Sequence, residues 1–339
     1  MTATTPAPRL GVVLGSAQAP GRIVAAAQAA ERGGFDEIWV GEDYFFTGAI
    51  AAAGAVLAHT SLPVGIGIVP TASRHPALLA MELTTLAEIY PGRLTAGVGV
   101  GVPDWLDQMG VRPAKPLTSI KEVVAALRTL FAGETLTLRD GSFVAEEIRL
   151  EHPPAKPPAV FAGVGGPKAL STAGRIADGA VLSVLAGDTY VRWAAGRVAT
   201  GEPAPGFGLV TYTFVSMGDD AGAARERLRE LFGIYLLSGP RNPMTEAHGI
   251  ADDAERLAAL PFADAVARIP DAWLDELAVV GTPADCAARI ESLAAAGSTS
   301  IALCPVPGED GGTAQLEYLA DELLPRVRTR TGAPSGPRS

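Results

Sequence analysis

The sequence is poor in cysteine and has no cluster of basic residues. Its 339 residues include two cysteines, Cys286 and Cys304, which are too few for a disulfide framework or a four-ligand zinc site. The formal net charge is −10, and no run of Lys and Arg offers the positive surface that a phosphate backbone needs. These absences argue against a disulfide-stapled protein, a zinc-finger protein and a nucleic-acid binder.

Long apolar runs and hydrolase motifs are also absent. No apolar stretch reaches the roughly 18 residues of a membrane span, and the first residues lack the basic and apolar regions of a signal peptide. We therefore predict a cytoplasmic protein without membrane contact, with disordered tails over 1–8 and 331–339. The four histidines form no H-E-x-x-H motif and no G-x-S-x-G occurs, so we expect neither a bound metal nor serine hydrolase chemistry.

What the sequence does contain is a regular alternation of two kinds of segment. Short apolar, β-branched runs are each followed by an Ala- and Leu-rich helical stretch, which is typical of parallel strands covered by helices. Eight such units favour a closed TIM-like (β/α)8 barrel of the α/β class over an open doubly wound sheet. The predicted strands are 10–14, 37–40, 64–69, 94–98, 159–164, 179–184, 209–215 and 300–304.

Two segments interrupt this alternation within a single domain predicted over 9–330. Residues 134–158 contain two short apolar runs around Asp140-Gly141, which indicates a hairpin. Residues 237–271 contain Gly239-Pro240, Asn242-Pro243 and short helical pieces. Insertions in such barrels usually form the rim around the site at the C-terminal ends of the strands, and we expect both segments there.

Glycines are concentrated just after the predicted fourth and fifth strands. A G-x-G-x-G pattern by itself is equally typical of tight turns, but the second cluster also opens a helix, whose free N–H groups can receive an anion. A proline at the first helical position and a lysine follow these glycines. Together they fit an elongated cofactor with a phosphate tail, bound by Gly97, Gly99, Gly101, Gly163, Gly165, Gly166, Pro167 and Lys168.

At these residues the chain resembles the bacterial luciferase-like monooxygenase superfamily, which holds FMN monooxygenases and coenzyme F420-dependent oxidoreductases. The resemblance runs through residues 26–46, 60–101, 160–183 and 280–297, with the elements R-H-P, G-R-L-x-x-G-V-G and G-P-K-x-L…A-D-G. The Gly-Pro-Lys segment is similar to the F420 branch. The resemblance implies a TIM-like barrel, F420 as the cofactor, and FMN as the alternative.

The resemblance also implies a place for each part of the cofactor. The segment 165–168 would surround the phosphate-bearing tail, and Gly97, Gly99 and Gly101 would lie beside the ribityl chain or the ring edge. Gly67, Ile68 and Val69 would back the ring. Members of the family often have a non-prolyl cis peptide bond at the matching position, so we expect one between Gly67 and Ile68.

Two departures from the family pattern concern the reaction. Many F420 enzymes carry an Asp-His pair after the second strand, and here the pair is Asp43-Tyr44; a family Glu is replaced by Val102. We predict Asp43 and Tyr44 as catalytic residues, with Tyr44 as the polar group nearest the reacting carbon or, alternatively, as part of an aromatic wall. A phenol can donate a proton but is a weak base at neutral pH. For the substrate pocket we predict Trp105 and Tyr235.

The most favoured function is F420-dependent hydride transfer to or from a small organic substrate. The alternative is an FMN-dependent monooxygenase that uses reduced flavin and O2. A second alternative is a non-catalytic flavin-binding relative, against which the intact glycine clusters argue. We expect a homodimer, and a separate flavin or F420 reductase as a further partner.

Overall fold

The computed structural model describes residues 8–15, 18–306 and 313–331, so the expected tails fall almost entirely outside the described residues. Eight parallel strands close into a barrel in the order β1-β2-β3-β4-β7-β8-β9-β11, with β11 paired to β1 and β8 to β9, and β10 is added beside β9. This confirms the predicted barrel. The strands are β1 (Arg9–Leu14), β2 (Glu37–Val40), β3 (Val64–Pro70), β4 (Leu94–Gly99), β5 (Leu136–Leu138), β6 (Ala145–Ile148), β7 (Ala159–Gly163), β8 (Gly179–Leu182), β9 (Gly208–Met217), β10 (Val279–Gly281) and β11 (Ser300–Pro305).

The helices surround the barrel and bury its outer face in one apolar layer. They are α1 (Ile23–Gly33), α2 (Ala49–His59), α3 (Pro76–Ile89), α4 (Pro103–Gln108), α5 (Pro116–Phe131), α6 (Pro167–Ile176), α7 (Asp188–Ala199), α8 (Ala221–Ser238), α9 (Pro243–Ala247), α10 (Ala251–Ala258), α11 (Phe262–Ala267), α12 (Asp271–Leu277), α13 (Pro283–Ala295), α14 (Thr313–Glu322) and α15 (Leu324–Thr331). Among the described residues no helix is both long and apolar enough to cross a membrane.

Large side chains fill the lower barrel because glycines on neighbouring strands leave them room. Trp39 packs against Phe161 and Tyr212, with ring centroids 6.3 and 5.8 Å away. A Cβ on Gly65 would lie 2.3 Å from the Trp39 ring, and one on Gly179 would lie 2.4 Å from the Phe161 ring. The barrel is therefore a packed core up to the level of Tyr212, and open space lies at the C-terminal ends of the strands.

Helix starts on the C-terminal side are set by local sequence signals. His75 caps α3 by accepting the Ala77 N–H at its Nδ1, and its Nε2 lies 2.7 Å from the Val144 carbonyl oxygen. Thr282 and Asp285 form a capping box at α13. The α6 start differs, because Gly166 occupies the cap position and no side chain caps it. The first N–H groups of α6 are thus left without a side-chain acceptor.

Both interrupting segments have the local structure that the sequence indicates. The first contains the antiparallel pair β5–β6. The Val144 carbonyl, just before β6, lies within hydrogen-bond distance of the His75 ring at the start of α3. The second contains α9, α10 and α11, which lie against α7 and α8. The helix α4, just after β4, was not predicted, although Pro103 at its first position and Asp104 in its first turn are local start signals.

Candidate active site

A cavity of about 650 Å³ opens at the C-terminal ends of the barrel strands. Its volume is in the usual range for a cofactor or small-molecule site. The loops that follow the strands line it, and α8 and α9 cover one side. Its mainly apolar wall includes Val13, Val100, Val181, Val184, Phe214 and Leu231.

The peptide bond between Gly67 and Ile68 is cis, as the resemblance implied, and both residues line the cavity. The pairing of β3 with β4 shifts at this point, between Ile66 and Val69. Gly67 itself must be glycine, because a Cβ there would lie 2.1 Å from the Tyr212 hydroxyl oxygen. The backbone at Gly67 and Ile68 therefore protrudes toward the cavity above Tyr212.

Gly97 and Gly99 are not among the residues that line the cavity, and their predicted contact with the cofactor stays a prediction. They lie under the side chain of Ile68: a Cβ would come within 3.3 Å of it at Gly97 and 3.0 Å at Gly99. Gly163 has the same role, at 2.7 Å, but it also lines the cavity. Val69 points away from the cavity into the buried layer under the helices. These glycines make room for Ile68.

The second glycine cluster does lie at the cavity edge. Gly101, Gly165 and Gly166 all line the cavity, and the Tyr190 hydroxyl holds the Gly165 carbonyl at 2.9 Å. A Cβ on Gly166 would meet no heavy atom within 4 Å, so the space in front of the α6 start is open. The next two residues, Pro167 and Lys168, are exposed on the first turn of α6 and are not part of the cavity wall.

A buried ion pair beside the cavity was not predicted. Arg74 donates two hydrogen bonds to Glu42, at 2.8 and 3.2 Å, and Glu42 also accepts the Ala49 N–H at 3.1 Å, at the start of α2. The Glu42 side chain is 3% exposed and that of Arg74 is 25% exposed. Glu42 and Arg74 are 32 residues apart in the sequence, so it is the barrel fold that brings them together.

Tyr44 is not among the residues that line the cavity, and its catalytic role stays a prediction. Its hydroxyl is buried close to Glu42 and Ser73, and burial raises its pKa. The next two residues, Phe45 and Phe46, are 66% and 59% exposed, and the aromatic-wall alternative stays a prediction as well. The Tyr44–Phe45 peptide bond is also cis.

The polar end of the cavity is formed by Asp43, Tyr212, Tyr235 and Cys304. Burial, with contributions from Asp43 and Cys304, raises the pKa of Tyr235 to about 12. Burial also raises the pKa values of Tyr212 and Cys304, and the Asp43 carboxylate adds to both shifts. At neutral pH these three groups are protonated, so Tyr235 can donate a hydrogen bond next to a carboxylate.

Of the residues predicted for the substrate pocket, Tyr235 lines the cavity and Trp105 does not. Trp105 packs instead against Phe46, with ring centroids 6.3 Å apart. The second insertion contributes Asn242 and Met244 to the wall.

A mostly apolar cavity at the mouth of a (β/α)8 barrel, with an uncapped helix start at one edge, is the kind of site that holds an elongated anionic cofactor. The comparisons agree with an oxidoreductase of this kind. Residues 3–300 match the family described as Luciferase-like monooxygenase, and the chain belongs to that family.

Several relatives carry the name of an F420-dependent enzyme or of a methylenetetrahydromethanopterin reductase. The chain is 28% identical to a 5,10-methylenetetrahydromethanopterin reductase of Methanolobus tindarius, over 83% of this chain and 89% of the relative. It is 28% identical to an F420-dependent glucose-6-phosphate dehydrogenase of Beutenbergia cavernae, over 95% and 98%. A solved coenzyme F420-dependent tetrahydromethanopterin reductase of Methanopyrus kandleri shares the fold, with a TM-score of 0.83, 22% identity, and coverage of 95% and 99%.

The Glu42–Arg74 pair gives a stability prediction. Removing one partner of a buried ion pair costs about 3–5 kcal/mol, and the partial exposure of Arg74 reduces the loss expected for Arg74→Met to about 2 kcal/mol. Urea unfolding measures it. Arg112→Met is the control, because Arg112 and its partner Asp107 are both about half exposed and should contribute little. Equal losses in the two variants would contradict a structural role for the buried pair.

Proposed function

We propose that the chain binds F420 reversibly at the barrel mouth and catalyses hydride transfer between it and a small organic substrate. The observation that carries this proposal is the combination, in one cavity, of the irregular β3 backbone at Gly67–Ile68 and the open, uncapped start of α6. The name of the F420-dependent relative from Beutenbergia cavernae supports the same cofactor.

Each part of the cavity has a role in this proposal. The Gly67–Ile68 backbone backs the ring, while Gly165 and the first N–H groups of α6 receive the phosphate. When bound, F420 supplies the hydride donor or acceptor. Tyr235 holds its proton at the hydroxyl oxygen and orients a substrate oxygen or nitrogen by hydrogen bonding. The apolar wall keeps water away from the reacting atoms.

The experiment that tests this proposal titrates the purified protein with F420 and with FMN and follows cofactor fluorescence. We expect saturable F420 binding in the micromolar range, which corresponds to about 8 kcal/mol, and binding of FMN that is at least about tenfold weaker. Tighter binding of FMN would favour the monooxygenase alternative. Binding of neither would contradict the proposal, and binding without turnover on any substrate would support a non-catalytic relative.

The remaining expectations concern other molecules and the cell. The homodimer, the separate reductase and the cytoplasmic location stay predictions, because a single chain tests none of them.

A further inference from the structure

We infer that the substrate carries an uncharged apolar chain, and that this chain leaves the cavity over an aromatic rim formed by Phe45, Phe46 and Trp105. The inference rests on the proposed function and names its substrate class. Phe45 and Phe46 are the two most exposed aromatic side chains among the residues that the structure describes. Apolar side chains that are grouped on a surface in this way mark a place where another molecule binds.

The aromatic rim continues the wall of the cavity. Phe45 and Phe46 come two and three residues after the wall segment 41–43. On the other side, Val102 lines the cavity and is itself 41% exposed, and Trp105 follows it in the first turn of α4. The rings of Phe46 and Trp105 meet edge to face, with centroids 6.3 Å apart. The rim therefore joins the end of β2 to the end of β4 at the cavity mouth.

The rim and the phosphate-binding end proposed for the cofactor lie on different sides of the mouth. Phe45 and Phe46 follow β2, whereas the start of α6 follows β7, and β3 and β4 lie between these two strands in the barrel. A substrate whose reacting end faces the cofactor ring at Gly67–Ile68 can therefore extend past β2 while the cofactor tail extends past β7. The mainly apolar wall and the rim together give the chain a continuous apolar surface.

The charges around the rim argue for a small uncharged molecule as the occupant. Residues 44–48 and 100–111 contain no Lys or Arg, and their charged residues are Asp104 and Asp107. Arg112, the next basic residue, is paired with Asp107 at 2.7 Å. A surface that docks on an anionic membrane carries basic residues around its apolar ones, and a charged phosphate or carboxylate on the chain would need them too.

The size of the rim argues against a subunit contact. A fully buried aromatic side chain covers about 150–250 Å², so three partly exposed ones offer on the order of 300 Å². A stable interface buries about 800 Å² on each partner. An alkyl chain or a second ring of the substrate needs far less area, and the rim supplies enough for it.

The test measures how F420-saturated protein binds 1-butanol, 1-hexanol, 1-octanol and 1-decanol in calorimetric titrations. Each added methylene should raise the affinity about threefold through the whole series, because the part of the chain that passes the mouth stays in contact with apolar groups. In the double variant Phe45→Ser/Phe46→Ser, 1-decanol should bind at least about tenfold more weakly than in the parent. The affinity for 1-butanol should stay within about twofold, because a short chain does not reach the rim.

Two further variants separate the rim from general effects of losing a phenyl ring. Phe262→Ser is the matched control, because Phe262 is exposed on α11 and is not among the residues that line the cavity. It should leave all four affinities as they are in the parent. Phe46→Leu keeps an apolar side chain on the rim and should hold the affinity for 1-decanol within about threefold of the parent.

Three results would overturn the inference while leaving the proposed function intact. One is an affinity that does not rise from 1-butanol to 1-decanol, including the case in which no alkanol binds. Another is a double variant that changes all four affinities equally or not at all. The third is a dimer in the parent that becomes a monomer in the double variant by sedimentation, which would assign the rim to a second copy of the chain. A failure of F420 to bind contradicts the proposed function instead, and fluorescence measures it separately.

Discussion

Gly166→Asp is expected to weaken F420 binding at least about 100-fold, or about 2.7 kcal/mol, while leaving the fold at least as stable as in the parent. Gly166 caps α6 with φ −86° and ψ 159°, which any residue can adopt, and a side chain there meets no heavy atom within 4 Å. An aspartate at this position accepts the first N–H groups of the helix and adds negative charge where the phosphate is expected. The fluorescence titration measures the loss of affinity.

The opposite effects on stability and binding make this variant informative. A helix cap by Asp in place of Gly should raise the free energy of unfolding by a few tenths of a kcal/mol, so weaker binding could not be attributed to misfolding. Gly166→Asn is the matched control, because it supplies a similar cap without the charge and should weaken binding less than Asp does. If Gly166→Asp bound F420 as tightly as the parent, the phosphate-binding site could not be at the start of α6.

Lys168 is expected to contribute less to phosphate binding than the sequence suggests. The sequence places a lysine beside the glycines, but in the structure it is exposed on the outer side of the first turn of α6, apart from the cavity wall. An exposed cation near a helix start contributes only about 0.3–1 kcal/mol to holding an anion. The backbone N–H groups at the start of α6 are expected to contribute more to phosphate binding than Lys168, and no sequence motif shows them directly.

The barrel could be predicted from the sequence because its signals are local and repeated. Each strand is a short continuous apolar run, and several helix starts carry their own capping residues, such as Thr282 with Asp285 at α13. All eight predicted barrel strands coincide with observed ones to within a few residues. Short elements with weak local signals, such as α4, were the part missed.

The site could be predicted only in part, because its contacts join residues that are far apart in the sequence. The pairing of Glu42 with Arg74 and the grouping of Asp43 with Tyr235 depend on which strand ends meet at the barrel mouth. The glycine pattern predicts contact with the cofactor, and the structure shows that another group of the protein lies close to the backbone at two of these positions. At Gly97 that neighbour is the Ile66 carbonyl and at Gly99 it is the Ile68 side chain, and a sequence pattern cannot tell a group of the same protein from a cofactor.

We therefore expect Gly97→Ala to lower the free energy of unfolding. A Cβ at this position would lie 2.1 Å from the Ile66 carbonyl oxygen and 3.3 Å from the Ile68 side chain. The carbonyl belongs to β3, which is paired with β4 on one side and β2 on the other, so it cannot move without disturbing the sheet. We expect a loss of more than about 4 kcal/mol in the free energy of unfolding, a large part of the 5–15 kcal/mol that is usual for a protein.

Chemical denaturation measures this loss, and soluble yield reports it if the variant does not accumulate. Gly196→Ala provides the matched control: Gly196 is exposed in the middle of α7, where a Cβ meets no heavy atom within 4 Å. Because alanine is the better helix former, that variant should gain up to about 1 kcal/mol. A Gly97→Ala protein as stable as the parent would mean that β3 can shift away from β4 at Ile66, and the close approach of the Ile66 carbonyl would no longer explain the glycine at this position.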